Sequence, residues 1–155
     1  MNLLETSILS PECKEQVFEL WNREYPVELQ NENLEDMLSY MDGLEDLRHG
    51  MLMDNKSKIQ AWFATYKNLG EQRFIIIIAR EAQGQGHGSF ILDHLKKDRE
   101  VLHGWVIDED RYQREDGSPY RSPLDFYRKH GFEVLDERLE RALISGVKVK
   151  WTRQL

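Results

Sequence analysis

The sequence predicts one α/β domain: a mixed, mostly antiparallel sheet of about six to seven strands flanked by about four helices. Three observations predict it. Past the first third of the chain, apolar residues change from helical spacing to strand-like runs separated by short polar turns, which gives successive antiparallel hairpins. Four consecutive isoleucines, Ile75 to Ile78, do not alternate with polar residues, as in a central strand covered on both faces. A glycine-rich segment then joins that strand to an amphipathic helix and a further strand.

Each element follows from local chemistry. Asn2 to Thr6 can form a short first strand, and Ser10 and Pro11 stand as N-cap and first residue of a helix. Cys13, Val17, Leu20 and Trp21 share one face of that helix, and Pro26 closes it. Leu34, Met37, Leu38, Met41 and Leu44 make a second helical stripe that reads as core. Arg48 to Met53, Ile59 to Tyr66 and Arg73 to Ala79 read as strands, with turns at Asp54 to Ser57 and at Asn68-Leu69-Gly70. Ser89 to Arg99 reads as a helix burying Ile91, Leu92 and Leu95, and Val101 to Ile107 as the next strand. Asp108 to Arg121 is a polar loop of unusual length for a compact domain. Ser122 and Pro123 open a last helix with Asp125 placed as a reciprocal capping acid, and Gly131 is placed to end it. Strands at Phe132 to Leu135 and Val147 to Thr152 complete the order.

Composition excludes several classes. The 155 residues, 40% hydrophobic and 32% charged, suit a single domain spanning 1–155. The longest apolar run, Phe74 to Ala79, is far below the roughly 18 residues that cross a bilayer. The first residues lack a secretion pattern, so the expectation is a cytoplasmic protein without a membrane partner. Cys13, the single cysteine, can form no internal disulfide and has no cysteine or histidine at metal-ligand spacing, so no metal is expected. A net charge of −7 argues against a nucleic-acid partner, which needs clustered cations, and points instead toward a cationic substrate. A homodimer is allowed by the sequence.

Gln83-Gly84-Gln85-Gly86-His87-Gly88-Ser89 carries the chemistry. Glycines at alternate positions free the backbone to approach a ligand, and successive N–H groups at a helix N-terminus attract an anion, so a phosphate or pyrophosphate is expected there. The segment lacks the Gly-Lys-Ser/Thr ending of a P-loop, and Gly84, Gly86 and Gly88 do not match the Gly-x-Gly-x-x-Gly of dinucleotide folds.

This segment resembles the Gln/Arg-x-x-Gly-x-Gly/Ala signature of the GNAT superfamily of acetyl-CoA-dependent N-acetyltransferases. Phe126-Tyr127-Arg128-Lys129-His130-Gly131-Phe132 is similar to that family's Phe-Tyr-x-x-x-Gly-Phe segment, and the element order follows the family along nearly the whole chain. The resemblance implies a sheet splayed between its fourth and fifth strands, with acetyl-CoA as co-substrate in the opening. Backbone groups of Ile76, Ile77 and Ile78 would bind its pantetheine, and Gln83, Gly84, Gln85, Gly86, His87, Gly88 and Ser89 its pyrophosphate. Lys96, Lys97 and Arg99 are candidates for the outer phosphates. Tyr127 takes the place of the family's proton donor. Tyr120 stands where many members carry an asparagine, so the acceptor end differs.

The expected reaction is direct acetyl transfer to an amine, a small molecule or a protein N-terminus, within a ternary complex. A non-catalytic acetyl-CoA sensor is the alternative. An acid at the end of the fifth strand is expected to take the amine proton: Asp108 first, for its position directly after a buried strand, then Glu109 or Asp110, with Glu81 in reserve. No serine-nucleophile elbow is present, and Cys13 lies far in sequence from the cofactor elements.

Overall fold

The computed structural model describes residues 1–139 and 143–155. Strands β1 (Asn2–Thr6), β2 (Glu45–Met53), β3 (Ile59–Asn68), β4 (Glu71–Ile78), β5 (Val101–Ile107), β6 (Glu133–Arg138) and β7 (Gly146–Thr152) form one seven-stranded sheet. Their order is β1-β2-β3-β4-β5-β7-β6. All neighbours are antiparallel except β4 and β5, which run parallel and pair through a single residue couple, Arg73 with His103. Beyond that couple the two strands part, and the sheet opens toward their C-terminal ends.

Helices α1 (Pro11–Glu24) and α2 (Leu34–Asp42) cover one face of β2 to β4, and α3 (His87–Lys96) and α4 (Leu124–Lys129) cover the other. The isoleucine run explains itself on this frame. Ile75 and Ile77 pack into the cluster under α1 and α2, Ile76 into the one under α3 and α4, and Ile78 touches both.

Local signals set the ends. The Ser10 hydroxyl accepts from the Cys13 N–H at 3.2 Å, and Asn33 caps α2 through the Asp36 N–H at 2.9 Å. Gly43 ends α2 before Leu44, so only the first part of that apolar stripe is helical. Leu69 and Gly70, with φ of 51° and 77°, make the two-residue turn whose twist suits a hairpin. Strand β2 starts three residues earlier than its apolar pattern, across an irregularity at Asp46, φ 53°. Helix α3 begins at His87, not Ser89, because its N-cap is Gly86 in the left-handed conformation, φ 85°. Its end is shorter than the pattern, and the Arg153 guanidinium donates to the carbonyls of Lys96 and Lys97 there.

At α4 the Ser122 hydroxyl accepts from the Leu124 N–H and donates to the Ile107 carbonyl at 2.5 Å, which pins the helix start to the end of β5. Asp125 does not cap; it pairs with Arg128 at 3.1 Å. Gly131, φ 87°, turns the chain so that the Phe132 N–H returns to the Tyr127 carbonyl at 3.1 Å. No helix among the described residues is long and apolar enough to cross a membrane.

Candidate active site

A cavity of about 630 Å³ opens along the C-terminal end of β4, beyond its one pairing with β5. Ile76 to Ile78 form its floor, the Gln83–Ser89 turn and α4 one side, and the end of α1 with the 108–121 loop the other.

The floor offers unpaired backbone. The Ala79 N–H donates to the Gln60 carbonyl of β3. By the two-residue alternation of an antiparallel ladder, Ile77 also turns its N–H and C=O toward β3, and Ile76 and Ile78 turn theirs toward the gap. The Ile78 carbonyl receives the Gln83 side-chain amide at 3.1 Å, which folds the turn back on the strand. The groups free for a ligand are therefore those of Ile76 and the Ile78 N–H.

Two of the three glycines are required by backbone conformation. Gly84 and Gly86 have φ of 75° and 85°, and a Cβ on either would meet nothing within 4 Å, so both faces lie open to a ligand. Gly88 is required by packing, since a Cβ there would lie 2.8 Å from the Phe126 ring. No side chain caps α3, which leaves its first N–H groups directed at the cavity. The buried His87 Nε2 has no hydrogen-bond partner among the described residues. A cradle without Cβ atoms, uncapped N–H groups and an orphaned ring nitrogen suit a phosphate-bearing ligand.

The remaining loop side chains take other roles. Gln85 turns away and donates to the Glu81 carbonyl at 3.2 Å. Ser89 Oγ lies 2.8 Å from His130 Nε2, and His130 Nδ1 lies 2.8 Å from the Phe126 carbonyl. A carbonyl can only accept, so Nδ1 carries the ring proton and Ser89 donates to Nε2. Lys96 and Arg99 belong to the opposite end of α3. Lys96 Nζ donates to the His130 carbonyl at 2.7 Å, and Arg99 bonds Leu95 and Thr65. Neither stands at the phosphate cradle.

Tyr127 reaches the cavity from α4. Its ring packs against Phe74, Phe126 and Phe132 at centroid distances of 5.6, 5.2 and 5.4 Å. Its hydroxyl makes no hydrogen bond to the described residues. Burial, with a smaller effect from nearby Tyr120, pushes its pKa well above the tyrosine value. Burial also lifts Tyr25 well up, and lifts Tyr120 to about 12 against the opposing pull of Arg114. All three tyrosines line the cavity as protonated phenols.

Asp108, the acid expected as the base, is not among the residues that line the cavity. Its carboxylate accepts from Ser145 Oγ at 2.7 Å and from Arg138 at 2.9 Å, tying the end of β5 to the start of β7. Partial burial raises its pKa, but these two donors outweigh that and hold it below the usual carboxylate value. Both carboxylate oxygens thus have donors. Glu109 pairs with Arg111, Asp110 receives the Ser122 N–H, and Glu81 pairs with Arg23 and Lys58; none lines the cavity.

The carboxylate that does is Glu24, 3% exposed, at the last position of α1. Oε2 accepts from Arg23 Nε and from the Arg80 N–H, each at 3.0 Å. Oε1 has no hydrogen bond among the described residues, although Arg80 Nε and Arg114 Nε lie 3.5 Å away. The sequence held the signal for it. Cys13, Val17, Leu20 and Glu24 continue one helical stripe, and an acid at an apolar position invites a functional reading. Arg114 arrives from the long loop, which is an ordered excursion: Val27 N–H donates to the Gln113 carbonyl at 3.0 Å, and Arg114 donates to the Glu24 and Pro119 carbonyls at 3.1 Å.

No protein-family model and no curated protein sequence matches the chain. Its fold is nevertheless that of the GNAT N-acetyltransferases. An aminoglycoside 6'-N-acetyltransferase complexed with coenzyme A superposes with a TM-score of 0.73 at 13% identity, over 98% of this chain and 97% of that one. A spermidine N-acetyltransferase variant from Vibrio cholerae gives 0.66 at 16% identity, over 98% and 95%. A ribosomal-protein-alanine N-acetyltransferase from Escherichia coli gives 0.65 at 15%, over 97% and 94%. Identities this low establish the fold and leave the acceptor to the chemistry of the site.

Proposed function

We propose that the chain is an N-acetyltransferase that moves the acetyl group of acetyl-CoA directly to an amine. The observation that carries this reading is one cavity, set where β4 and β5 part, whose walls combine the Cβ-free turn of Gly84 and Gly86 with the buried phenol of Tyr127. The N–H groups of that turn and of the first residues of α3 would hold the pyrophosphate, and the free backbone groups of Ile76 and Ile78 the pantetheine arm. Acetyl-CoA supplies the activated thioester, whose carbonyl carbon bonds to the amine nitrogen as the C–S bond breaks and the thiolate leaves.

An amine with a pKa near 10.4 must first lose a proton, at roughly 4 to 5 kcal/mol at pH 7. Glu24 Oε1 is the carboxylate oxygen on the wall able to take it, directly or through a water. Tyr127 donates a hydrogen bond to the departing sulfur. A sensor needs neither group, and two such groups in one cavity favour an enzyme.

Gly86→Glu tests the placement. A carboxylate there projects into the open face of the turn and repels phosphate, and φ of 85° adds modest strain at an exposed position. The expected result is a folded protein, melting slightly earlier, whose acetyl-CoA affinity falls by more than about tenfold in calorimetry. Unchanged affinity in that variant would reject the site.

A further inference from the structure

The cavity wall carries a charge pattern opposite to that of the chain. The protein bears a net −7, yet Glu24 is the single carboxylate on the wall among the described residues, against two guanidinium groups, Arg114 and Arg121. Glu24 is already surrounded by arginines. Arg23 and Arg80 also serve Glu81 and Asp116, so Arg114, its side chain only 15% exposed and 5.9 Å from the Tyr120 ring, is the cation left facing Glu24. Arg121 is exposed on the wall and makes no hydrogen bond or ion pair with any described residue. A polycationic amine would meet this wall with one carboxylate to receive it and two like charges to oppose it.

We infer that the acceptor is an amine bearing its own anionic group, a carboxylate or a phosphate. The ammonium end faces Glu24, and the anionic end faces Arg121 and the free edge of Arg114, whose planar forks suit either oxyanion. This rests on the acetyltransferase reading. It reverses the expectation drawn from net charge, because local charge on the wall, not the total, sets which substrate is held. The CoA phosphates are the competing claimant for Arg121, so the test must separate the two.

Calorimetry on the CoA-saturated protein with matched amines does so: glycine against glycinamide, O-phosphoethanolamine against ethanolamine, and spermidine as the polycation. The expected result is binding of at least one anion-bearing amine about tenfold tighter than its neutral partner, with spermidine weakest. The carboxylate and phosphate arms show which anion the site takes. Arg121→Gln should narrow that gap and leave CoA affinity unchanged. Spermidine or the neutral partners binding as tightly, no binding by either anion-bearing amine, or an Arg121→Gln effect on CoA instead of on the amine, each overturns the inference. Failure of CoA itself to bind overturns the acetyltransferase reading instead, and is seen before any amine is added.

Discussion

Tyr127 and Glu24 divide the proton traffic of the proposed reaction, and their surroundings say how. A free phenol near pKa 10 delivering its proton to a thiolate near 8.5 works uphill by roughly 2 kcal/mol, and burial of Tyr127 raises its pKa further. Its role is therefore a hydrogen bond to charge developing on sulfur. Tyr127→Phe keeps the ring and its three aromatic neighbours, so kcat should fall by about 10² to 10³, with acetyl-CoA affinity and melting temperature near those of the parent. Equal turnover where chemistry limits the rate would reduce Tyr127 to packing. Glu24→Gln keeps the shape but removes the base. Its rate deficit should shrink as pH rises toward 10, where the amine deprotonates unaided, and a deficit constant across pH would exclude Glu24 as the base. That variant also leaves Arg80 and Arg114 without their carboxylate and should cost about 2 kcal/mol of stability.

At the scale of elements, legibility tracked how local the cause was. Helix α1 was readable because Ser10, Pro11 and the stripe from Cys13 to Trp21 act within a few residues of one another. Strand β4 was readable from its isoleucines, and the turn at Gly84 and Gly86 from alternate glycines. The start of α3 was read two residues late because a glycine caps it by conformation, which leaves no side-chain signal in the sequence. The start of β2 was hidden by an irregularity that breaks the two-residue alternation. The surroundings of Asp108 were hidden for a different reason. Its position after a buried strand is local, but its partners Arg138 and Ser145 lie 30 and 37 residues downstream, and only the folded chain shows that its carboxylate is occupied. The long loop read as polar and of unusual length, but the sequence did not show that its backbone pairs with itself at Gln113 and Pro119 or that it brings Arg114 to Glu24, contacts that no short window contains.

Across the whole molecule, the opening that makes the site leaves the sheet in two blocks joined by one residue couple, Arg73 with His103. A charged clasp reinforces that join. Lys148 of β7, 3% exposed, reaches Glu71 of β4 at 2.7 Å and Glu137 of β6 at 3.2 Å, and Arg73 holds Glu71 at 2.9 Å. Partial burial raises the Glu71 pKa, but hydrogen bonds from Lys148 and Arg73 outweigh it and hold the group below its ordinary 4.5. A depressed carboxylate contributes stability that is present above the unfolded value and is lost as pH falls through the folded one. His103, whose pKa burial lowers below 6.5, works in the same direction, since the unfolded chain takes up its proton first on acidification. The clasp should therefore weaken from below pH 6.5 downward. Removing its two ends should not be equivalent. Glu71→Gln leaves a buried ammonium whose remaining carboxylate among the described residues is the exposed Glu137, at about 2 kcal/mol. Lys148→Met replaces the ammonium with an apolar chain of similar length, leaves Glu71 paired to Arg73 and returns Glu137 to water, so it should cost less than about 1 kcal/mol. Urea midpoints at pH 7 distinguish the two, and the penalty of Glu71→Gln should shrink progressively as pH falls below 4.5 toward the lower value of the folded carboxyl. Equal penalties for both variants, or a Glu71→Gln penalty independent of pH, would show that main-chain pairing alone holds the two blocks together.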